Sequence, residues 1–234
     1  MKSYRFLLFD ADHTLLDFDE DMGIAFRKLY AAAGLQEQRP FSDALQRCYE
    51  TCNQRWWGRF ERQACTKEML YRNRFRDFLE ETGLSHDPDT LNDLYFAQLS
   101  KTGTPYPGAV QLMQTLSRDH QCYIITNGNA ASQPRRIENA GLSPYCRDLF
   151  VSEAVGVGKP DLRYFRYVFR AIPDFSAAAA LVIGDRLGAD IQGAENAGVD
   201  SIWYNPHGLP RPSTARCTYE VRSYPEILRI LGGP

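Results

Sequence analysis

The sequence predicts an α/β fold, a parallel sheet covered by helices, with a helical segment inserted directly after the first strand. Two observations predict it. Short apolar runs alternate with helical patterns along most of the chain. That alternation stops between residues 21 and 101, where the patterning is helical throughout and no buried strand is found.

The strands are expected at Tyr4–Phe9, Gln121–Thr126, Asp148–Ser152, Ala180–Gly184 and Ser201–Tyr204, each short and apolar as a strand buried on both faces should be. Between them, helices are expected at Ala109–Ser117 after the Pro107-Gly108 turn, and at Gln133–Ala140 before Gly141. Two more follow, Leu162–Ala171 before Pro173 and Ala189–Ala197 before Gly198. The inserted segment, rich in Arg, Glu, Tyr and Trp, reads as helices over Met22–Ala33, Phe41–Arg59, Lys67–Thr82 and Thr90–Ser100. One strand followed by this block, with the alternation then resuming, predicts a core of residues 1–20 and 102–234 and a helical cap of residues 21–101. Residues Pro206–Arg216 read as a loop over the core.

Composition narrows the function classes. With 44% hydrophobic and 24% charged residues the chain can bury a sizeable core. Its 27 basic and 29 acidic side chains are spread along the sequence, which argues against a nucleic-acid polymer or a polybasic membrane surface as partner. No run approaches the roughly 18 apolar residues of a membrane span. The first residues lack a signal-peptide pattern, because Asp10 interrupts the short apolar run Phe6–Phe9. Cysteines 48, 52, 65, 122, 146 and 217 are too few for a disulfide scaffold. Cys48 and Cys52 lie one helical turn apart but lack Cys or His partners at zinc spacing, so reduced thiols and a cytoplasmic address are expected.

In an open parallel sheet, ligands bind beyond the carboxyl ends of the strands. Asp10 and Asp12 follow the first strand, Thr126-Asn127-Gly128 the second, Glu153 to Lys159 the third, and Gly184-Asp185 the fourth. Two carboxylates at i and i+2, with Asp185 at a nearby strand end, repel one another unless a cation lies between them. Few hard oxygen ligands suit Mg²⁺ better than zinc. Thr126 with the backbone N–H groups behind it would cradle phosphate oxygens, and Lys159 would neutralise them, with Pro160 opening the next helix. Asp190 sits where a carboxylate complements a helix dipole. Singly, these are ordinary caps, turns and surface residues; together, in this order, they form one chemically coherent set.

Four motifs in order, Asp10-x-Asp12-x-Thr14-Leu15, Thr126-Asn127-Gly128, Lys159-Pro160 and Gly184-Asp185 with Asp190, resemble those of the haloacid dehalogenase superfamily, specifically its phosphatases. The resemblance covers essentially the whole chain. It implies a Rossmann-like core, a C1-type cap, and a Mg²⁺-dependent phosphomonoester hydrolase. Asp10 would be the nucleophile and Asp12 the general acid and base. The metal would be held by Asp10, Asp185 and the backbone carbonyl of Asp12, and phosphate gripped by Thr126, the Asn127 amide, Gly128 and Lys159. Thr14 and Asp190 would support them. Asp12 sets the chain apart from the dehalogenases, which lack this second aspartate. No cap lysine stands out for the Schiff base of a phosphonate hydrolase.

The segments Phe9-Asp10-Ala11-Asp12-x-Thr14-Leu15 with Asp17-Phe18-Asp19, Thr104-Pro105-x-Pro107-Gly108-Ala109-Val110 and Ser152-Glu153-x-Val155-Gly156-x-x-Lys159-Pro160 are similar to nucleotidases acting on pyrimidine 5′-monophosphates, including noncanonical ones. His13 departs from the acidic or polar residue usual there. Trp56, beside Trp57 and between Arg55 and Arg59, is a candidate base-stacking residue, as is Phe18; packing inside the protein competes with both readings. The expected ligand is therefore a small phosphate monoester, with a nucleotide foremost, bound by a monomer or homodimer. Sugar-phosphate or phosphoglycolate phosphatases and phosphomutases of the same superfamily are the alternatives. A phospho-accepting signalling domain, from a different class, shares the aspartates, Thr and Lys, but needs neither Asp12 nor a lid.

Overall fold

The computed structural model describes residues 2–232. The chain divides into two compact units, one of the residues up to Phe18 and from Gly103 onward, the other Asp19–Thr102.

The first unit is built on six strands: β1 (Phe6–Phe9), β2 (Gln121–Thr126), β3 (Asp148–Val151), β4 (Ala180–Gly184), β5 (Asp200–Tyr204) and β6 (Tyr219–Val221). They form one sheet in the order β3-β2-β1-β4-β5-β6, and every neighbouring pair is parallel. This is the α/β parallel sheet expected from the alternation. β1 lies in the interior between β2 and β4, with Phe9 opposite Ile124 on one side and Ile183 on the other. Its four residues are fully apolar because both faces are covered. Leu7 and Phe9 point into one core with Ile124, Ile183 and Ile202, while Phe6 and Leu8 point into the other with Ile125, Val182 and Phe165. This period-2 division fixes the register, since a one-residue slip would exchange the two cores.

The helices of this unit include α6 (Ala109–Leu116) and, at the end, α11 (Tyr224–Leu231); β6 and α11 have no counterpart among the expected elements. β6 has only three residues, one of them exposed Glu220, and carries no apolar run to mark it.

The second unit is helical: α1 (Phe18–Ala32), which starts on the last residue of the first unit, α2 (Leu35–Gln38), α3 (Asp43–Glu61), α4 (Lys67–Thr82) and α5 (Pro88–Leu99). Side chains cap three of them, with Ser42, Thr66 and Asp87 accepting from Leu45, Met69 and Thr90 backbone N–H groups. Its interior is aromatic. Phe26 stacks on Tyr49 at 4.3 Å, and Tyr49 stacks on Phe75 at 5.0 Å. Trp56 belongs to this packing: its indole N–H donates to Asp77 at 2.7 Å, and the Arg59 guanidinium lies 4.6 Å from its ring. Cys48 and Cys52 acquire Glu81 as a neighbour of metal-ligand type, which sequence spacing could not show. Arg55 already bridges this group, pairing with Glu81 and donating to the Cys52 sulfur at 3.3 Å.

The buried guanidinium of Arg74 ties α3, α4 and α5 together. It is only 1% exposed, donates to Asn53 and Asn92 at 2.9 and 2.8 Å, and lies within about 5 Å of the Tyr71, Phe75, Tyr95 and Phe96 rings. Arg74→Ala is expected to cost about 3 kcal/mol, from lost charge-assisted bonds and an empty volume. Arg74→Lys is expected to recover less than half of that, because an ammonium cannot span both amides. Denaturant unfolding of the two variants checks this.

Candidate active site

Asp10 leaves β1 at the sheet's carboxyl edge, its N–H donating to the Ile183 carbonyl of β4 at 2.8 Å. The residue is 6% exposed. Oδ1 accepts from the Lys159 ammonium at 2.5 Å, and Oδ2 lies 3.4 Å from the Thr14 hydroxyl. Lys159 comes from the loop between α8 (Ser152–Val155) and α9 (Leu162–Ala171). It is held at three points, donating also to Asp190 at 2.6 Å and to the Ile125 carbonyl at 2.8 Å. The Asn127 side-chain amide clasps the Lys159 backbone from both sides, accepting from its N–H and donating to its C=O. Pro160 does not open α9 as expected; the helix begins at Leu162, because the Asp161 carboxylate accepts from the Arg163 N–H and takes the cap position.

Asp185 follows β4. The Trp203 indole of β5 donates to its carbonyl at 2.8 Å, and its own N–H donates to Thr14 Oγ1 at 3.1 Å. Thr14 is fixed in turn by the Tyr224 hydroxyl, which donates to its carbonyl. Asp190 is fully buried. It does not start a regular helix, since residues Leu187–Ile191 form one wide π-type turn before α10 (Gln192–Ala197). The wider turn lets the carboxylate point inward to Lys159 and to the Arg186 N–H. Gly184 permits this approach, because a Cβ there would stand 2.3 Å from the Asp190 carboxylate.

Asp10, Asp185 and Asp190 each bring one carboxylate oxygen within 4.8 Å of the others. Burial pushes the Asp10 carboxyl up to about 7, against the pull of the Lys159 charge and with the push of Asp190. Burial, then the charges of Asp10 and Asp190, holds Asp185 well above the usual carboxylate range. Lys159 is desolvated too, yet the charges of Asp10 and Asp190 hold it above an ordinary lysine. Three clustered carboxyl groups facing one ammonium bring together hard oxygen donors whose mutual repulsion a divalent cation of the Mg²⁺ type would relieve. The side chain of Asp12 stands outside this group; the ligand that the family resemblance implies for this residue is its backbone carbonyl.

Asp12 instead turns to α7 (Gln133–Asn139). Its Oδ1 accepts from Arg136 at 2.6 Å and its Oδ2 from Gln133 at 2.6 Å. Both helix residues are buried, and neither was singled out in the sequence. The only signal was their place one turn apart in the helix behind Thr126-Asn127-Gly128, which marks a shared face but not its target. Phe18 packs over the Arg136 guanidinium at 5.3 Å and against the His13 ring at 5.6 Å. His13 takes a left-handed backbone, φ 62°, in the turn after β1. Thr126 Oγ1 accepts from the Gly128 N–H at 2.9 Å and from Gln133 Nε2 at 3.3 Å. Of the residues predicted to bind substrate, Asn127 and Gly128 thus spend these polar groups on the site's own framework, and Trp56 makes the contacts described in the helical unit.

Because the Asp10 and Asp185 carboxyls are raised in the folded state, the folded chain keeps protons that the unfolded chain releases above about pH 4. Metal-free stability is therefore expected to fall as pH rises from about 4 to about 7. Melting temperatures in EDTA should drop across this window, and the slope should flatten in Asp10→Asn. Adding Mg²⁺ at about pH 7.5 should raise the melting temperature of the wild type.

A family profile described as haloacid dehalogenase-like hydrolase matches residues 4–198. The chain is 38% identical to the HAD-hydrolase YfnB of Bacillus subtilis (strain 168) over 99% of its own length and 97% of that protein's. It is 38% identical to the pyrimidine 5′-nucleotidase PynA of Streptococcus pneumoniae, covering 97% of this chain and 95% of the relative. It is 33% identical to the pyrimidine 5′-nucleotidase YjjG of Escherichia coli K12, covering 97% and 98%. The crystal structure of YfnB bound to magnesium superposes with a TM-score of 0.91 over 98% of this chain and 99% of that one. The chain is thus an enzyme, and it belongs to the haloacid dehalogenase-like hydrolases.

Proposed function

We propose that this hydrolase is a Mg²⁺-dependent phosphomonoesterase that acts through an aspartyl-phosphate on Asp10, with pyrimidine nucleoside 5′-monophosphates as substrates. The observation that carries the reaction is the contrast between two carboxylates on one strand end. Asp10 is buried against Lys159, whereas Asp12 is drawn aside by Arg136 and Gln133. Asp10 would be held ionised as the nucleophile by a cation between it and Asp185, while Asp12, outside that cluster, is left to exchange a proton. The substrate class rests on the full-length likeness to two proteins named pyrimidine 5′-nucleotidase.

In this reading, Asp10 attacks phosphorus, an Asp10 O–P bond forms, and the P–O bond to the leaving group breaks. The leaving oxygen keeps the electron pair and takes a proton from the Asp12 carboxyl. Water then attacks the same phosphorus, gives its proton to the Asp12 carboxylate, and phosphate leaves Asp10. Lys159 neutralises the charge gathering on the transferred oxygens while holding Asp10 in line. Thr126 Oγ1 already accepts two N–H bonds, so its own proton is directed to a phosphate oxygen. Asp10, Asp185 and the Asp12 carbonyl would hold Mg²⁺, with Asp190 securing Lys159. The bound ion would supply charge neutralisation at the phosphoryl group.

Asp10→Asn is expected to lower turnover by about 10⁴-fold or more, and EDTA to abolish it, with Mg²⁺ restoring it. Phosphate release from dUMP, dTMP and UMP is expected to exceed release from AMP, glucose 6-phosphate and phosphoglycolate by about tenfold or more in kcat/KM. A sugar phosphate at the head of that series would keep the mechanism and discard the nucleotide. Lasting phosphoryl label on Asp10 without release would assign the chain to the phospho-accepting class.

A further inference from the structure

We infer that Arg136 and Gln133 are positioning residues that aim the Asp12 carboxyl at the leaving-group oxygen, and that Gly128 is a glycine to make room for that device. This rests on the reading of Asp12 as general acid.

The geometry is specific. Arg136 and Gln133 lie one turn apart on α7, and each takes a different oxygen of Asp12 at 2.6 Å. The Arg136 side chain is 0% exposed, while that of Asp12 is 23% exposed. A fixed, desolvated guanidinium thus grips a carboxylate that still reaches the open side of the site. Phe18 closes over the guanidinium at 5.3 Å, which limits its rotation. Gln133 ties the same carboxylate to Thr126, donating to both from one nitrogen.

A second observation shows that Gln133 is committed to this task. Its Oε1 is buried without a hydrogen-bond partner among the described residues. A buried amide oxygen left unpaired costs free energy, and natural proteins rarely tolerate it without a compensating use. Here the amide orientation is dictated by the two acceptors that its N–H groups serve. The backbone is cleared for it as well, since a Cβ on Gly128 would stand 2.1 Å from Gln133 Nε2. The glycine after Thr126-Asn127 thus makes room for a side chain, in addition to shaping a turn.

The role predicts a leaving-group signature. The 5′-alkoxide of a nucleotide must be protonated as its P–O bond breaks, whereas p-nitrophenolate departs without help. The test is the ratio of kcat/KM for dUMP to kcat/KM for p-nitrophenyl phosphate, which reports the steps up to leaving-group departure. The concentration of folded enzyme cancels in it, so a variant that folds poorly still answers. Asp12→Asn serves as reference, with an expected fall in the ratio of about 10²-fold or more. Arg136→Met, Gln133→Leu and Gly128→Ala are each expected to lower the ratio by about tenfold or more, and Arg136→Lys to recover part of the loss. If Asp12→Asn lowers the ratio and the three other variants leave it unchanged, Arg136 and Gln133 serve the fold alone and the inference is wrong. A ratio that rises in those variants would mean that they hold Asp12 out of reach, which also overturns it. An unchanged ratio in Asp12→Asn removes the acid itself, so the mechanistic reading fails and this inference with it.

Discussion

The ammonium of Lys159 sits out of water between Asp10 and Asp190, and most of the core's polar architecture serves to keep it there. An unpaired lysine at this depth would lose its proton or pull the structure open. Two carboxylates and the Ile125 carbonyl surround it, Asn127 clamps its backbone, and a widened turn at Leu187–Ile191 brings Asp190 inward. Each of these costs some regularity, in a helix that starts late or a glycine that gives up its side chain. What they secure is the position of the Asp10 side chain, held against the ammonium at the end of β1 before any ligand arrives.

The same strand end shows how one short segment places two like side chains in different surroundings. Asp10 and Asp12 are separated by Ala11, so along an extended chain they would face the same way. The turn after β1 departs from that pattern, with His13 in a left-handed conformation and both Leu15 and Leu16 N–H groups returning to the Ala11 carbonyl. Asp12 is thereby delivered to α7, and Thr14 to Asp185. Two identical side chains then differ through their neighbours: an ammonium and a carboxylate cluster for one, a guanidinium and an amide for the other.

The sheet was readable from sequence because its strands are short, apolar and bounded by turn residues; β2 and β4 fall on the expected residues. Asp10, Thr126, Lys159 and Asp185 were readable because each stands directly after a strand or in a recognisable order. Arg136 and Gln133 were not, since a polar pair on a helix reads as a solvated face until the opposing side chain is known. Trp203 and Tyr224 were hidden differently. Both are aromatic residues in apolar surroundings, and nothing in such a pattern shows that an indole N–H and a phenol O–H hold the Asp185 and Thr14 carbonyls. Trp56 illustrates the reverse case: flanking arginines suggested a stacking surface, whereas one of them covers the ring and Asp77 takes the N–H.

The sheet order also sets a timetable for synthesis. β1 is made first, yet its two partners, β2 and β4, follow only after the helical unit and much of the core. Lys159 is 149 residues downstream of Asp10. A growing chain therefore carries Asp10 from the outset, but lacks the ammonium, the second and third carboxylates and the pairing edges that organise it. The helical unit, contiguous between β1 and β2, can fold on its own schedule while β1 waits unpaired. The Asp10–Lys159–Asp190 cluster can assemble only after the chain through Asp190 has been made, so an incomplete chain lacks it.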